Sequence, residues 1–435
     1  MARRDGAESV GLTLHSRARR IDAPPAAALR AFTGPRAAWT DPDGPRIVGC
    51  EVAASVVGDG PDRFETVREN GGRLLRNVRG DVPHVARPRL LGGFAFHDEH
   101  RPESPWKGFP GARFVVPRVQ VVAEGGETWL TVTEYGESPD VESALADAAE
   151  RLRGEGSRRD PPPGIEGTRR TPSREDWRRE VADTVERIRG GELEKVVLAQ
   201  ALEADLRGPF RLSDALERLA ETYPDCHRFA VDPGVGAVFF GATPERLVRL
   251  RGTDVETEAL AGSAGRGATE EEDERLADTL RTPKIEHEHA LVARTIREQL
   301  EEMGAEVAVG DRGLKKLANV QHLHTPITAE VPEGTHVIDV AERLHPTPAV
   351  GGLPPEAAWR TIKETETFER GWYAAPVGWF DAAGDGSFSV AIRSAVAGDD
   401  AATLFAGNGI VADSDPEVEW DELQLKFRPM LDQLR

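Results

Sequence analysis

The chain has 435 residues, of which 39% are apolar, and it contains 44 glycines and 31 prolines. This composition predicts a globular, loop-rich protein with a large core, and no apolar run approaches the 18 residues that a membrane span needs. The net charge of −20 argues against a nucleic-acid partner, because neutralising phosphates requires a basic surface. With two cysteines and no apolar stretch behind the N-terminal basic residues, we expect a cytoplasmic protein without a disulfide framework.

Residues 1–152 are predicted to form a β-rich subdomain of strands and turns. Two segments of alternating apolar residues, FVVPRVQVV and TWLTVTEY, flank AEGGE, in which Gly125 and Gly126 suit a hairpin turn. Residues 153–172 are polar and include three consecutive prolines, which predicts a linker or long surface loop. Ser173 and Asp176 then form a capping pair for a helix that opens the remaining region, 173–435.

The segment EKVVLAQAL is predicted to be a strand whose alternation places Lys195, Val197 and Ala199 on one face. Both faces of this strand are apolar, so Lys195 is expected to point into a covered interior. Loss of hydration there favours the neutral amine that a general base requires. A lysine at the end of a strand can also extend its amine back to water, and the strand alone leaves both alternatives open.

Two motifs farther along the chain give weaker signals. In FFGATPERL, Glu245 falls where the first turn of a helix could begin, and acidic residues are common there because they suit the helix dipole. In EALAGSAGRG, the loop around Gly262 and Ser263 could bring backbone donors against an anion. Its spacing is neither that of a Walker loop nor that of a dinucleotide-binding turn.

The stretch KIEHEHALV predicts a helix with Thr282 as its cap, Pro283 in its first position and one apolar stripe. At about 100° per residue, Glu288 and His289 flank this stripe whereas His287 points away from it. The two histidines therefore cannot share one metal ion from this helix. Glu288 is a carboxylate that leans toward the core, where an unpaired charge is costly. A helix with a solvated cluster of charges fits the same stretch.

The segment SFSVAIRSA is predicted to be a single strand. Its alternation places Phe388, Val390 and Ile392 on one face and Arg393 on the other, among small residues. These small neighbours leave Arg393 room to bind a carboxylate with two hydrogen bonds.

The segment EVEWDELQLKF predicts a helix near the C-terminus. Glu419, Glu422 and Lys426 lie beside its apolar stripe. Glu288 and Glu422, from separate helices, could together hold one Mg²⁺, a hard ion that prefers oxygen ligands. The alternative is an ion pair between Glu422 and Lys426 within the helix.

Taken together, these residues resemble the chorismate-utilising enzymes: isochorismate synthases, salicylate synthases, and the synthase components for anthranilate and aminodeoxychorismate. The resemblance implies an α+β fold in which two antiparallel sheets pack face to face, helices lie outside and the active site lies between the sheets. Ten motifs carry it in order: KVVLAQ, FFGATPERL, EALAGSAGRG, KIEHEHALV, QHLHTPI, LHPTPAVGG, RGWYAAPVGW, VAIRSA, AGNGIV and EWDELQLK.

The resemblance implies a role for each matching residue. Lys195 would activate water for attack at carbon 2 of chorismate, and Glu245 would protonate the hydroxyl group that leaves carbon 4. Glu288 and Glu422 would bind Mg²⁺, with Glu419 close by. The implied substrate-binding positions are Ala261, Gly262, Ser263, Thr325, His345, Tyr373, Arg393, Gly407 and Lys426.

Ala261 distinguishes between members of this family. Aminodeoxychorismate synthases have at this position a lysine that itself attacks chorismate, whereas Ala261 leaves space for water. The resemblance therefore implies an isochorismate synthase, a monomer or weak homodimer whose product serves menaquinone or siderophore biosynthesis. Two alternatives stay open: a salicylate synthase, which adds pyruvate elimination, and a catalytically inactive chorismate-binding paralogue.

The sequence departs from the family pattern at four positions. Gln200 stands where many relatives have Arg, Ala375 replaces a usual Gly, and Ser387 sits where Glu is frequent. Asn408 replaces a small residue. None of the four is an acid, base or metal position, although Asn408 beside Gly407 could change how the substrate fits.

Overall fold

The structure is a computed structural model that describes residues 13–154, 159–318 and 320–435. No described helix combines the length and apolar character that crossing a bilayer requires. The described helices are α1 (Pro25–Ala31), α2 (Arg63–Arg76), α3 (Val141–Arg153), α4 (Arg174–Arg189), α5 (Leu212–Thr222), α6 (Glu270–Thr279), α7 (Pro283–Glu302), α8 (Val337–Leu344), α9 (Pro355–Thr365) and α10 (Pro416–Leu431). The described strands are β1 (Leu14–Arg20), β2 (Arg36–Thr40), β3 (Arg46–Gly58), β4 (Val78–Arg79), β5 (Leu90–Phe94), β6 (Ala112–Glu124), β7 (Glu127–Tyr135), β8 (Ile165–Thr171), β9 (Lys195–Leu206), β10 (His227–Asp232), β11 (Val238–Thr243), β12 (Arg246–Arg251), β13 (Asp254–Gly265), β14 (Glu306–Val309), β15 (Gly313–Lys316), β16 (Val320–Glu330), β17 (Gly352–Leu353), β18 (Pro376–Phe380), β19 (Gly386–Val390), β20 (Ser394–Ala397) and β21 (Ala401–Ile410).

The strands form one hydrogen-bonded network that divides into two arms at β6, which pairs with both β3 and β5. The first arm runs from β3 through β2, β10, β11, β20 and β21 to β9. The second arm runs from β5 through β18, β19, β12 and β13 to β16. Among the described strands, only β1 and β4 pair in parallel. The α+β class with antiparallel sheets and flanking helices is therefore as predicted, and the two sheets are joined through β6.

Helices α4 and α7 begin where the capping pattern predicts. The Ser173 hydroxyl accepts a hydrogen bond from the Asp176 amide at 3.2 Å, and the Thr282 hydroxyl accepts one from the Ile285 amide at 3.4 Å. Each bond satisfies an amide that lacks a partner in the first helical turn. Helix α10 packs against β21, and the residues of its predicted apolar stripe are buried: Trp420, Leu423, Phe427 and Met430.

The predicted linker and the predicted N-terminal subdomain each differ from the structure in one respect. Residues 165–171, predicted to belong to a linker, form β8, which pairs with β9; residues 155–158 of that linker lie outside the described chain. The subdomain predicted as strands and turns also contains α1, α2 and α3. Strand β8 is polar, and what makes it a strand is the edge of β9, a partner that is distant in sequence.

A buried ion pair holds the strand that bears Lys195. The side chains of Glu366 and Arg370 are each only 4% exposed, and Arg370 Nε donates to Glu366 Oε2 at 2.8 Å. Arg370 also donates to the carbonyls of Val197 and Val350, at 2.7 and 2.9 Å. Glu366 accepts a further bond from the Ala199 amide at 2.9 Å. The pair therefore fixes β9 to the segment that follows α9.

Replacing Glu366 by alanine is expected to lower the free energy of unfolding by about 3–5 kcal/mol, because the Arg370 guanidinium would remain buried without its counter-charge. Urea titration followed by circular dichroism measures the change. Glu364→Ala is the control: that side chain is 55% exposed and bonds Arg187 at the surface, where an ion pair contributes below about 1 kcal/mol. Equal losses in the two variants would contradict the assignment.

Candidate active site

A cavity of about 320 Å³ lies where the two arms and two helices meet. Lys195 of β9 and Gly407 of β21 come from the first arm, Ala261 of β13 comes from the second, and α7 and α10 contribute carboxylates. Most residues predicted from the sequence line this one cavity. They are Lys195, Glu245, Ala261, Gly262, Ser263, Glu288, Tyr373, Arg393, Gly407, Glu419, Glu422 and Lys426.

Two residues expected to bind the substrate, Thr325 and His345, do not line the cavity. The Thr325 hydroxyl is buried and lies 2.8 Å from His289 Nε2, so it joins β16 to α7. His345 Nε2 lies 3.0 Å from the carbonyl oxygen of Phe96, and its ring packs edge-on against the Phe96 ring. We therefore correct their assignment: both support neighbouring elements rather than the cavity wall.

His322 of β16 lines the cavity and was missed by the sequence reasoning, although it lies in the QHLHTPI motif. It stands three residues before Thr325, on the opposite face of the strand. Its Nδ1 donates to the Gly262 carbonyl at 2.9 Å and lies 3.1 Å from the Ser263 hydroxyl. Burial lowers the pKa of His322 to about 3, so the ring is neutral at physiological pH. Nε2 is then an acceptor, with no partner among the described residues.

Glu245 lies in the two-residue connection between β11 and β12, so the predicted first turn of a helix is wrong. Its side chain is buried, and burial raises its pKa to about 7, with a further rise from the charge of Glu258. Lys315, Lys195 and Arg393 act in the opposite direction. A carboxyl group with this pKa carries its proton in a large fraction of molecules at neutral pH and can donate it.

Lys195 is buried, with a side chain only 2% exposed, as the strand alternation predicts. The alternative in which it reaches solvent is therefore wrong. Its Nζ donates to Glu288 Oε1 at 2.6 Å, an ion pair that joins β9 to α7. A Cβ atom on Gly409 would lie 2.8 Å from Lys195 Cε and 3.1 Å from Glu288 Oε1. Glycine at position 409 thus makes room for the pair.

The face of α7 agrees with the predicted helical wheel. His287 is exposed, Glu288 faces the cavity with its side chain 16% exposed, and His289 is buried. Burial lowers the pKa of His289 to about 4, which keeps the ring neutral. The solvated cluster of charges is therefore the wrong alternative for Glu288.

Arg393 enters the cavity because the predicted strand is interrupted. Strand β19 ends at Val390 and β20 begins at Ser394, and Arg393 has a φ of 51°. This left-handed conformation is costly for a residue with a side chain. Ile392 and Arg393 both line the cavity, whereas regular alternation predicted opposite faces. Burial lowers the pKa of Arg393, but a guanidinium remains charged at neutral pH.

A β-bulge at Gly262 turns three successive residues toward the cavity. The register of β13 against β16 shifts between Ala261 and Ser263, and Gly262 has a φ of 70°. A Cβ atom at this position would lie 2.5 Å from Ile285 Cγ2. Ala261, Gly262 and Ser263 all line the wall as a result, which is a common use of a bulge beside an active site.

Three carboxylates facing the cavity match a divalent cation in ligand type. Glu288 bonds Lys195, and Glu422 accepts from Lys426 Nζ at 2.8 Å, so the predicted intrahelical pair exists. Glu419 is buried, and burial together with the nearby charge of Glu422 raises its pKa. The described residues contain no preformed group of three or more metal ligands. The repulsion between Glu419 and Glu422 shows negative charge that Lys426 only partly offsets, and this fits a hard cation.

Asn408, one of the departures from the family pattern, links these groups. Its Nδ2 donates to Glu419 Oε2 at 3.0 Å, and its Oδ1 accepts from Lys426 Nζ at 2.7 Å. Lys426 Nζ also donates to the Gly407 carbonyl at 2.9 Å. Asn408 thus fixes two charged side chains of α10 beside β21.

Comparisons with known proteins show which family the chain is similar to. A family profile described as chorismate binding enzyme matches residues 6–435. The salicylate biosynthesis isochorismate synthase of Pseudomonas aeruginosa is 39% identical over 396 residues, which cover 89% of this chain and 82% of that protein. The isochorismate synthase MenF of Bacillus subtilis is 34% identical over 421 residues, covering 93% and 89%. The solved structure of MenF, the menaquinone-specific isochorismate synthase from Escherichia coli, has a TM-score of 0.79 at 27% identity and covers 97% and 95% of the two chains.

Infrared difference spectra recorded across pH are expected to contain a protonated-carboxyl band that disappears with a midpoint near pH 7, because burial raises the pKa of Glu245 to about 7. The band should be missing from Glu245→Gln. Glu180 is the matched control: burial raises its pKa to about 7 as well, so Glu180→Gln removes a different band in the same range. A Glu245→Gln titration identical to that of the wild type would contradict the assignment.

Proposed function

The chain belongs to the chorismate-binding enzyme family, and from this premise we propose that it is an isochorismate synthase that converts chorismate to isochorismate. The observation that carries the proposal is the placement of Lys195 and Glu245, a buried amine and a buried carboxyl group, in one cavity with Ala261. The names of the relatives from Pseudomonas aeruginosa and Bacillus subtilis agree with this activity.

The reaction replaces one hydroxyl group by another across an allylic system. Lys195 removes a proton from water as its oxygen attacks carbon 2, the double bonds shift, and Glu245 gives a proton to the hydroxyl group that leaves carbon 4 as water. One water enters and one leaves, so the net change is an isomerisation. Lys195 must be neutral while Glu245 is protonated, and the raised pKa of Glu245 supports its part of this division.

Chorismate carries two carboxylates, and cationic side chains line the cavity that is proposed to hold it. Arg393 and Lys426 line the wall, and an arginine can bind a carboxylate with two hydrogen bonds. Burial raises the pKa of Tyr373 to about 12, so its hydroxyl keeps its proton and can donate. A Cβ atom on Gly407 would lie 3.1 Å from this hydroxyl, so glycine there leaves space beside it.

Mg²⁺ is proposed as the cofactor, held by Glu288 and Glu422 with Glu419 close by. When bound, it would supply positive charge for a substrate carboxylate and hold that carboxylate in place. Its proposed ligands bond Lys195 and Lys426, so these two lysines lie beside the proposed metal site.

The choice between isochorismate synthase and salicylate synthase depends on the shape of the cavity. Ala261 at the cavity wall has no amine that could replace water as the nucleophile, which argues against the aminodeoxychorismate chemistry. Salicylate synthase remains the second candidate, because it uses the same addition of water and then eliminates pyruvate. That elimination needs the substrate held in a compact conformation.

Incubation of the protein with chorismate and Mg²⁺ is expected to give a mixture of chorismate and isochorismate that is the same when approached from either side. Product analysis by liquid chromatography measures both, and coupling to lactate dehydrogenase reports any pyruvate. Pyruvate and salicylate appearing in step with the loss of chorismate would replace the proposal by salicylate synthase. Removing a general base costs about 10² to 10⁴ in rate, so Lys195→Ala serves as the loss-of-activity control.

Chelation of divalent cations is expected to abolish turnover, and Glu288→Gln to raise the Mg²⁺ concentration needed for half-maximal rate, because one ligand charge is removed. Calorimetric titration with Mg²⁺ measures the loss of affinity independently of turnover. Glu286→Gln is the matched control on α7, since Glu286 bonds Arg312 near the surface. Full activity in excess chelator would refute the metal requirement.

A further inference from the structure

We propose that Glu258 and Lys315 are positioning residues for Glu245: they fix its backbone on both sides and place two opposite charges behind its carboxyl group. The proposal rests on the assignment of Glu245 as the general acid of the proposed function. Neither residue lines the cavity, so neither touches the substrate. They act through Glu245 alone.

The two residues hold the peptide units on either side of Glu245. Lys315 Nζ donates to the Pro244 carbonyl at 2.8 Å, and Glu258 Oε1 accepts from the Arg246 amide at 2.8 Å. The remaining backbone groups of Glu245 are also bonded, its amide to the Thr243 hydroxyl at 3.2 Å and its carbonyl to the Val390 amide at 3.1 Å. Glu245 lies in a connection between two strands, so these bonds replace the ladder of backbone hydrogen bonds that fixes a residue within a sheet.

Glu258 and Lys315 also bind each other. Lys315 Nζ lies 2.9 Å from each carboxylate oxygen of Glu258, and His324 Nε2 lies 2.8 Å from Glu258 Oε2. The Glu258 side chain is 9% exposed and that of Lys315 is 25% exposed. They reach each other from β13 and β15, which pair with β16 on its two sides.

A purely structural role explains this arrangement poorly. A buried ion pair contributes little stability compared with apolar residues of similar volume, because both charges lose their hydration. Here both members form hydrogen bonds with the two peptide units next to one catalytic carboxyl group. That placement indicates that the pair controls the geometry and protonation of Glu245.

The charges of Glu258 and Lys315 act on the pKa of Glu245 in opposite directions. After burial, Glu258 is the largest influence that raises the pKa of Glu245, and Lys315 is the largest that lowers it. Burial would raise the pKa of Glu258 itself, but the bonds from His324, Lys315 and the Arg246 amide lower it to about 2, so it stays ionised. The groups that face Glu245 from the surrounding elements are Glu258, Lys315, Lys195, Arg393 and Tyr373.

The test is the titration of Glu245 in two variants with opposite charge changes. Glu258→Gln removes the negative charge and is expected to lower the infrared midpoint of Glu245 by about one pH unit; Lys315→Met removes the positive charge and is expected to raise it by about the same amount. Because Glu245 acts as an acid, the pH above which kcat falls should move down in Glu258→Gln and up in Lys315→Met. Damage to the fold alone would lower kcat without moving the two midpoints in opposite directions.

Matched controls come from neighbouring residues of the same strands. Glu256 of β13 bonds Arg246 and Arg249, and Lys316 of β15 bonds Asp273, so Glu256→Gln and Lys316→Met are expected to keep the wild-type midpoint. Lys315→Arg retains the charge and should also keep it. Should Glu258→Gln not fold, Lys315→Met and Lys315→Arg still decide the question.

The outcomes separate this proposal from the proposed function. Unmoved midpoints in the two charge variants, or shifts in the same direction, overturn the positioning role even if the wild type makes isochorismate. Opposite shifts in the infrared titration support the role. If the wild type makes no isochorismate, the proposed function fails, while the infrared titration still reports whether the pair controls Glu245.

Discussion

The structure depends on balancing many charges inside one buried cavity. Lys195, Arg393, Glu245 and Glu419 are all less than 10% exposed, at 2, 7, 6 and 8%. A buried charge without a partner costs several kcal/mol, so each needs a counter-charge, a hydrogen bond or a proton. Lys195 has Glu288 as its partner, and Glu245 carries its proton in a large fraction of molecules at neutral pH. Helix α7 packs against the second arm, and it therefore also compensates the buried charge of Lys195 on the first arm.

The two groups proposed to move protons lie at different places in the two arms. Lys195 projects from β9 of the first arm, whereas Glu245 lies in the connection from β11 of the first arm to β12 of the second. Lys195 has a carboxylate as its direct partner, whereas Glu245 has mainly buried surroundings, which raise its pKa. In the proposed reaction Lys195 is the base, so its bond to Glu288 must break before it accepts a proton from water.

Irregular backbone geometry directs into the cavity several side chains that regular strands would point elsewhere. The bulge at Gly262 brings three consecutive residues of β13 to the wall, and the left-handed conformation of Arg393 redirects its guanidinium. Gly409 leaves space for the pair formed by Lys195 and Glu288. Each of these three features either reduces conformational freedom or introduces strain, and each is found at the cavity.

The sequence by itself determined the elements with strong periodicity, which are the strand of Lys195 and the helices of Glu288 and Glu422, and the capped starts of α4 and α7. Those depend on local spacing and capping, which neighbouring residues encode. Only the tertiary structure decided that Glu245 lies between strands, that β8 is a strand, that Arg393 breaks its strand and that His322 belongs to the wall while Thr325 and His345 do not. These features are set by partners distant in the chain, such as β9 for β8, and by the burial that raises the pKa of Glu245, and no local pattern contains them.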